Sequence, residues 1–511
     1  MQTYYITTPI YYLNGEPHIG HTYTTVAADS MARYKKARGY DVKFLTGTDE
    51  HGQKVELAAK EAGLSPQEFV DELAGKFKSI CELMCCDYDY FSRTTSEPHR
   101  ETVRKIFKKL YDSGDIYKGR YSGLYCTPDE TFFTERQLVN GNCPECGRKV
   151  DRIEEEAYFF RMSKYQDALM AHYEANPEFL MPISRRNEMV NNFLKPGLED
   201  LCVSRTSFKW GVPVDFDPEH IIYVWIDALP NYVSALGFLR DDDSDYKKYW
   251  PADLHLMAKE IVRFHAVIWP CVLLALGEPL PKQVFAHGWL QYEGQKMGKS
   301  LGNAIDPRSL VAQFGVDAIR YFLLREFTFG PDGNFVGASL VTRYNADLAN
   351  DLGNLLSRSV GMIEKYFGGT LPGEQAEPSV LDRELASMAT GMIDKVEAKM
   401  DKLVFSEALN EIWNVVRRAN KYIDESAPWI LVKDDSKKGE LATVLYHLAE
   451  TLRILGIVIT PVMPNTPRII NEQLGIPVGI TDWDSAKTFG ILPKEIKVTK
   501  GPAAFPRIEK S

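Results

Sequence analysis

Two histidines near the start of the chain flank a glycine in a pattern typical of phosphate-binding sites. His18 and His21 are three residues apart, with Gly20 between them, and they follow a strand-like run of aromatic and β-branched residues. Residues three apart share one helix face, glycine lets a ligand approach the backbone, and a helix N-terminus attracts anions. The segment predicts a site for the phosphates of a nucleotide. Two ordinary histidines beside a glycine are the alternative.

A second candidate is a loop that carries two lysines much later in the chain. Lys296, Lys299 and Ser300 belong to the sequence Lys-Met-Gly-Lys-Ser, which follows a predicted strand near His287. Ammonium groups on a closing loop can stabilise charge that develops on a reacting α-phosphate and on departing pyrophosphate. A solvated basic loop is the alternative.

Together the two signatures resemble those of class I aminoacyl-tRNA synthetases, whose loop normally reads Lys-Met-Ser-Lys-Ser, with Gly298 here in place of the middle serine. Longer blocks, 9–15, 46–52 and 223–228, are similar to the methionyl-tRNA synthetases in particular. The resemblance implies ATP-dependent activation of L-methionine, with Mg²⁺ accompanying ATP. It also implies transfer of methionine to tRNA(Met), both initiator and elongator.

The resemblance assigns roles to individual residues. The implied catalytic and ATP-binding residues are His18, Gly20, His21, Lys296, Lys299 and Ser300. The implied methionine-binding residues are Ile10, Tyr12, Asp49, Trp225, Ala228, Tyr232, Phe264 and His265. Among them the resemblance implies that Asp49 contacts the ammonium group, and the aromatic side chains suit a thioether, since sulfur–ring contacts contribute about 0.3–1.5 kcal/mol. His265 or Tyr12 is expected to offer the sulfur a hydrogen bond; ordinary core packing of these aromatic residues is the alternative.

Other functions fit the sequence less well. The synthetases for isoleucine, valine and leucine carry a large editing domain, because one methylene gives only about 10–200-fold discrimination, and the insertion here is too short for one. A nucleotidyltransferase for a smaller substrate shares the histidine signature but needs no helical tRNA-binding domain. A tRNA-binding relative without catalysis is disfavoured by the intact His18, His21, Asp49 and Lys299.

Cysteine spacing indicates one metal site. Cys143 and Cys146 are arranged as in a zinc knuckle, and related enzymes often have a second CxxC pair where this chain has Cys126 and Asp129. We expect a structural zinc held by these four residues, although the harder carboxylate of Asp129 weakens the expectation. A degenerate knuckle held by packing is the alternative. With 8 cysteines in 511 residues, a disulfide framework is not expected.

Helical periodicity dominates the second half of the chain, over 345–366, 382–400, 406–426 and 439–459. The resemblance makes this an anticodon-binding bundle. Trp429 is then expected to stack on an anticodon base, while Asn354 and Arg358, four apart on one helix face, bind base edges.

The predicted fold is an α/β, Rossmann-like parallel-sheet catalytic domain with a zinc-knuckle-type insertion, followed by an all-α bundle. The predicted boundaries are 1–115 and 221–292 for the catalytic halves, 116–220 for the insertion, 293–344 for the linking region with the lysine loop, and 345–511 for the bundle and tail. Sheet-like segments are predicted at 221–225 and 284–287, and an apolar helix at 258–276.

Bulk properties bound the remaining expectations. Hydrophobic content of 44% and charged content of 25% are normal for a globular protein, and no membrane span or targeting segment is expected, so the predicted location is the cytoplasm. The net charge of −10 is weak evidence against nucleic-acid binding, because a local basic region can still bind. Without a recognisable additional C-terminal module, a monomer is expected.

Overall fold

The computed structural model describes residues 1–13, 15–127, 131–133, 135, 138–144, 146–297 and 305–509. Within these ranges the strands are β1 Thr3–Tyr12, β2 Asp41–Asp49, β3 Tyr90–Arg93, β4 Ile116–Cys126, β5 Thr131–Phe133, β6 Asp151–Phe160, β7 Leu180–Met181, β8 Leu201–Cys202, β9 Ser204–Arg205, β10 Pro213–Val214, β11 Asp217–Ile222, β12 Leu254–Ala258, β13 Val284–His287, β14 Leu290–Tyr292, β15 Gln295–Lys296 and β16 Gly333–Phe335.

Helices cover more of the chain than strands do. They are α1 Ile19–Ala37, α2 Gln53–Ala62, α3 Pro66–Leu83, α4 Glu97–Asp112, α5 Gln166–Ala175, α6 Ile183–Met189, α7 Val224–Ala228, α8 Asn231–Ser234, α9 Ser244–Tyr249, α10 Trp269–Leu276, α11 Pro307–Phe314, α12 Val316–Glu326, α13 Gly337–Arg343, α14 Asn354–Phe367, α15 Val380–Met400, α16 Phe405–Ser426, α17 Pro428–Leu431, α18 Lys438–Ile459 and α19 Thr466–Leu474. A π-helical stretch, Tyr344–Gly353, joins α13 to α14.

The central sheet has six strands in the order β3-β2-β1-β12-β13-β7, and every pair is parallel. β1 and β2 pair from Thr3 with Asp41 to Tyr12 with Asp49, and α1 connects them. Because parallel strands end at the same edge, the segments after β1, β2, β12 and β13 meet there, where ligands bind in open α/β sheets. The predicted Rossmann-like parallel sheet followed by a helical domain is confirmed.

Two segments differ from their predicted form. Ile221 and Ile222 belong to β11 of a small antiparallel sheet with β9 and β10, and the following Trp225 lies in α7 rather than in a strand. The segment predicted as a helix over 258–276 is helical from Lys259, as a 3-10 turn Lys259–Ile261, a π-helical stretch Phe264–Ile268 and then α10, but the strand β12 that ends at Ala258 was not predicted. A continuous apolar run fits a buried strand and a buried helix equally well.

The region predicted as an insertion forms an antiparallel sheet in the order β5-β4-β6-β8. β7, which lies within the same stretch of sequence, instead pairs with β13 at the edge of the central sheet. The chain therefore returns to the catalytic sheet once before the insertion is complete.

The bundle is built around α18, every residue of which from Leu441 to Ile459 is buried. By length and composition the stretch Asp435–Ile459 could also cross a membrane, which the sequence analysis did not anticipate, but all of its apolar window is buried in the protein. The tail docks on the bundle through a bridge between Thr370 and Lys497.

The catalytic domain and the bundle are joined by a buried arginine. Arg320 of α12 pairs with Asp29 of α1 at 2.6 Å, and both side chains are fully buried. The same guanidinium donates to the carbonyls of Met84, Pro461 and Val462. A buried charge is tolerated only when it is paired and its other donors are satisfied, so this contact fixes α1, α12 and the end of α18 together.

We predict that Asp29→Ala lowers the free energy of unfolding by about 3–5 kcal/mol, because it leaves Arg320 buried without its carboxylate. Asp401→Ala is the matched control: it removes a carboxylate that is 43% exposed and pairs with Lys35 of the same helix, which should cost at most about 1 kcal/mol. Urea unfolding followed by circular dichroism measures both, and equal losses would contradict the prediction.

Candidate active site

The two histidines of the first signature cap α1 reciprocally. Nδ1 of His18 accepts a hydrogen bond from the backbone N–H of Gly20 at 3.1 Å, and Nδ1 of His21 accepts from the N–H of His18 at 3.2 Å. The ring centroids are 4.0 Å apart. A nitrogen that accepts carries no proton, so each neutral ring holds its proton on Nε2, where it can donate to a phosphate.

Gly20 is required by this cap as well as by any ligand. A Cβ at position 20 would lie 2.9 Å from Cε1 and 3.0 Å from Nδ1 of His18. Any other residue would therefore push the His18 ring away from the helix end. The sequence predicted only that Gly20 admits a ligand to the backbone.

A cavity of about 380 Å³ opens at the carboxyl edge of the sheet, beside the cap. Most of the predicted ATP- and methionine-binding residues line it: Ile10, Tyr12, His18, Gly20, His21, Asp49, Trp225, Ala228, Tyr232 and His265. Phe264 does not line the cavity but stacks on Trp225, with centroids 3.6 Å apart and planes 9° apart. The chain thus brings the two capping histidines, the carboxylates of Asp49 and Glu260, and an aromatic wall to one space.

His265 is fixed by hydrogen bonds on both ring nitrogens. Nδ1 lies 3.0 Å from the carbonyl of Ile261, which can only accept, so Nδ1 carries the proton; Nε2 accepts from the Tyr232 hydroxyl at 2.7 Å. Burial lowers the pKa of His265 to about 4, and the ring is neutral at physiological pH. It has no N–H left for a thioether, so the expected His265 donor to the sulfur does not hold in this arrangement.

Other residues that line the cavity were missed by the sequence analysis: Thr24, Glu260, His287 and Trp289. Nε2 of His287 accepts from the Thr24 hydroxyl at 2.7 Å, while its Nδ1–H donates to the carbonyl of Gly288. Burial lowers the pKa of His287 to about 4. The one available signal was position, since His287 ends a strand at the ligand-binding edge.

The segment that carries Asp49 is held rigidly on its far side. The buried carboxylate of Glu50 accepts two hydrogen bonds from Arg93, at 2.6 and 3.0 Å, and one from Thr48 at 2.6 Å. Trp210 donates from its indole to the carbonyl of Glu50 at 2.6 Å. These bonds hold the end of β2, and with it Asp49, against the cavity.

The base of the lysine loop is a hairpin of β14 and β15, which ends at Lys296. Gly288, just before it, packs so closely on Pro331 that a Cβ would lie 2.3 Å from the Pro331 carbonyl carbon. Lys259 sits over the Trp289 ring at 4.3 Å and pairs with Asp332. Lys299, Ser300 and Gly298 lie outside the described residues, as does the side chain of Lys296.

Three cysteines of the insertion converge. The sulfur atoms of Cys126, Cys143 and Cys146 all lie within 4.8 Å of one another, and those of Cys126 and Cys146 are 3.5 Å apart. Tetrahedral zinc with Zn–S bonds of about 2.3 Å needs sulfur atoms about 3.8 Å apart. The three thiols therefore fit a zinc ion; Asp129 lies outside the described residues.

The predicted anticodon residues lie around one end of the bundle. Asn354 and Arg358 of α14 face α16, where Asn354 contacts Asn420 at 3.4 Å and Arg358 pairs with Asp424 at 2.8 Å. Trp429 of α17, five residues after Asp424, is 42% exposed. An exposed indole suits stacking on unpaired bases, and amide and guanidinium groups suit contacts with base edges.

Comparison with known families agrees with this geometry. The family model for "tRNA synthetases class I (M)" matches residues 4–154 and 147–360, and the model for the "anticodon binding domain of methionyl tRNA ligase" matches residues 373–511. The chain belongs to the methionyl-tRNA synthetase family. It is therefore an aminoacyl-tRNA ligase, which activates methionine with ATP and charges tRNA.

Individual relatives support the assignment along almost the whole chain. The methionine–tRNA ligase of Caldanaerobacter subterraneus subsp. tengcongensis is 60% identical over 99% of this chain and 79% of its own length, and that of Clostridium tetani is 56% identical with the same coverage. The Mycobacterium tuberculosis methionyl-tRNA synthetase in complex with methionyl-adenylate has a TM-score of 0.95 at 42% identity, covering 99% of this chain and 100% of that one.

Proposed function

We propose that the cavity between α1 and α7 binds ATP and methionine side by side and forms methionyl-adenylate. A carboxylate oxygen of methionine attacks the α-phosphorus of ATP, the bond to the leaving phosphate oxygen breaks, and pyrophosphate departs. A ribose hydroxyl of the 3′-terminal adenosine of tRNA then attacks the adenylate carbonyl, and AMP leaves. The supporting observation is that one cavity holds the capping histidines, Asp49 and the aromatic wall.

Each group has a role that suits its chemistry. His18 and His21 donate from Nε2 to phosphate oxygens, beside the helix N-terminus, and Asp49 balances the ammonium charge of methionine. Trp225, Tyr232 and their neighbours enclose the thioether. We assign no general base, because the reaction needs alignment and charge stabilisation more than proton transfer.

The lysine loop and Mg²⁺ complete the proposal. Lys299 stabilises the charge on the transferring phosphate and Lys296 closes the loop, as the two lysines of the motif suggest, and Ser300 adds a hydroxyl. Magnesium bound with ATP would neutralise the charge of the departing pyrophosphate.

ATP–pyrophosphate exchange, run without tRNA and with each standard amino acid in turn, tests this function. We expect exchange with methionine and with no other standard amino acid. A folded protein that binds tRNA yet exchanges with none of them would contradict the proposed chemistry and favour the relative without catalysis.

We further propose that Trp429 stacks on an anticodon base while Asn354 and Arg358 contact base edges, in initiator and elongator tRNA(Met) alike. Arg358 would exchange its ion pair with Asp424 for a contact with RNA. The exposure of the Trp429 indole supports this role.

We predict that Trp429→Ala raises the KM for tRNA in the charging reaction by about five- to 150-fold, as expected for loss of about 1–3 kcal/mol of stacking. Methionine-dependent exchange should remain nearly unchanged, since the cavity lies in the other domain. Val478→Ala, at a bundle residue that is 88% exposed, is the matched control. Equal losses in charging and exchange would argue against anticodon stacking.

We propose that a structural zinc ion is held by Cys126, Cys143 and Cys146, with Asp129 as the fourth ligand. The close approach of the three sulfur atoms supports it. The ion would stabilise the insertion and take no part in the reaction at the phosphate.

We predict that the purified protein contains about one zinc per chain and that Cys143→Ser loses it, because a tetrahedral site with one thiolate removed binds zinc weakly. Elemental analysis of both proteins gives the answer. Cys271→Ser, at a buried cysteine outside this group, is the control, and a native protein without metal would refute the site.

We also propose that the enzyme is a monomer, which light scattering measures, and acts in the cytoplasm.

A further inference from the structure

Helix α7 presents two different faces. Val224, Trp225 and Ala228 line the cavity, whereas Asp227 does not. Each residue of a helix is turned by about 100° relative to the one before it. Asp227 is two residues after Trp225 and therefore points to nearly the opposite side of α7. Its side chain is fully buried. A buried carboxylate behind a binding wall needs strong partners to remain charged.

Two histidines supply those partners. Nδ1 of His51 lies 2.6 Å from Oδ2 of Asp227, and Nε2 of His99 lies 3.0 Å from Oδ1. Burial by itself raises the pKa of Asp227, but the two histidines outweigh it and lower that pKa to about 2. Asp227 is therefore an anion that accepts one hydrogen bond on each oxygen.

Each histidine leads to another part of the methionine wall. His51 is two residues after Asp49, on the segment that ends β2. His99 belongs to α4, and its Nδ1 lies 2.8 Å from the Ser234 hydroxyl of α8, the helix that carries Tyr232. One carboxylate thus connects the segments that carry Asp49, Trp225 and Tyr232.

We propose that Asp227 is a positioning residue for methionine: through His51 and His99 it holds the carboxylate and the aromatic wall at the separation that the amino acid requires. It contacts no substrate itself. The inference rests on the proposed function, because it takes Asp49, Trp225 and Tyr232 as methionine contacts.

Asp227→Asn tests this with little change of shape. An amide offers one oxygen, so its nitrogen would oppose a histidine N–H, and α7 would lose one of its two attachments. Hydrogen bonds to charged groups are worth about 1.5–3 kcal/mol, so we expect the KM for methionine in the exchange reaction to rise at least about tenfold. The KM for ATP should change less than about threefold, because no bond of this network reaches the α1 cap.

A pair of variants at His51 separates the hydrogen bond from mere packing. His51→Asn keeps an N–H close to the position of Nδ1 and should retain a methionine KM near that of the wild type, whereas His51→Leu should raise it as Asp227→Asn does. Asp115→Asn is the stability control: Asp115 is also buried, and it bonds to Ser113, Lys164 and Tyr165, away from the cavity. If Asp227→Asn does not fold, the His51 pair decides alone.

The outcomes distinguish this inference from the function beneath it. Absence of methionine-dependent exchange in the wild type refutes the proposed function. Two results would refute only the positioning role, provided that the wild type exchanges normally. In one, His51→Leu and Asp227→Asn raise the KM for methionine and the KM for ATP equally; in the other, they raise neither KM. An equal effect of Asp115→Asn would also refute it.

Discussion

The burial of α1 is the constraint on which the rest of the molecule depends. The helix begins with the histidine cap at the cavity, passes Asp29 at its middle and ends against the bundle, where Lys35 pairs with Asp401 and Arg38 with Glu397. The fully buried Asp29–Arg320 pair allows little movement of α1 relative to α12, because separating the two side chains would leave the arginine as an unpaired buried charge. The histidine cap at the cavity and the bundle that matches the anticodon-binding domain are therefore both fixed relative to one helix.

The cavity is also shaped by histidines that remain neutral. Burial lowers the pKa of His265 and of His287, which line the cavity, to about 4, and it lowers that of His255, which packs behind Tyr232, well below its usual value. A neutral ring can donate from one nitrogen and accept at the other, as His265 does when it donates to Ile261 and accepts from Tyr232. Neutral rings add no positive charge to the cavity, whose lining includes the acidic residues Asp49 and Glu260 and the basic residue Lys54.

The sequence predicted those elements whose signals are local. The strand-like run before the histidine signature is β1, and α15, α16 and α18 begin and end within about two residues of their predicted bounds, which is the usual uncertainty of such boundaries. The helix predicted over 345–366 is instead a π-helical stretch, Tyr344–Gly353, followed by α14. β12 was missed because an apolar run as short as Leu254–Ala258 has no residue spacing that distinguishes a buried strand from a buried helix. Trp225 was assigned to a strand by its β-forming neighbours, but it lies in α7, and its ring stacks on that of Phe264, 39 residues later in the chain.

The site was predictable to the extent that a motif named its residues. Most of the ATP- and methionine-binding residues predicted outside the lysine loop line the cavity. The hydrogen bonds behind the lining, however, join residues that are 128 and 176 positions apart, His99–Asp227 and His51–Asp227. Spacing carries no information about such pairs. The neutral state of His265 likewise follows from burial, and its tautomer from one carbonyl, neither of which a sequence displays.

The reciprocal cap of α1 has a consequence for affinity. Before any nucleotide binds, the ring of His21 accepts a hydrogen bond from the backbone of His18, and the ring of His18 accepts one from the backbone of Gly20. The rotamers of both histidines and the location of their protons are therefore already determined. Ordering a flexible side chain on binding costs roughly 0.5–1.5 kcal/mol. Folding has already restricted both imidazoles. Binding of an anion therefore does not have to restrict them further, and the affinity for the anion is higher by the entropy that this saves.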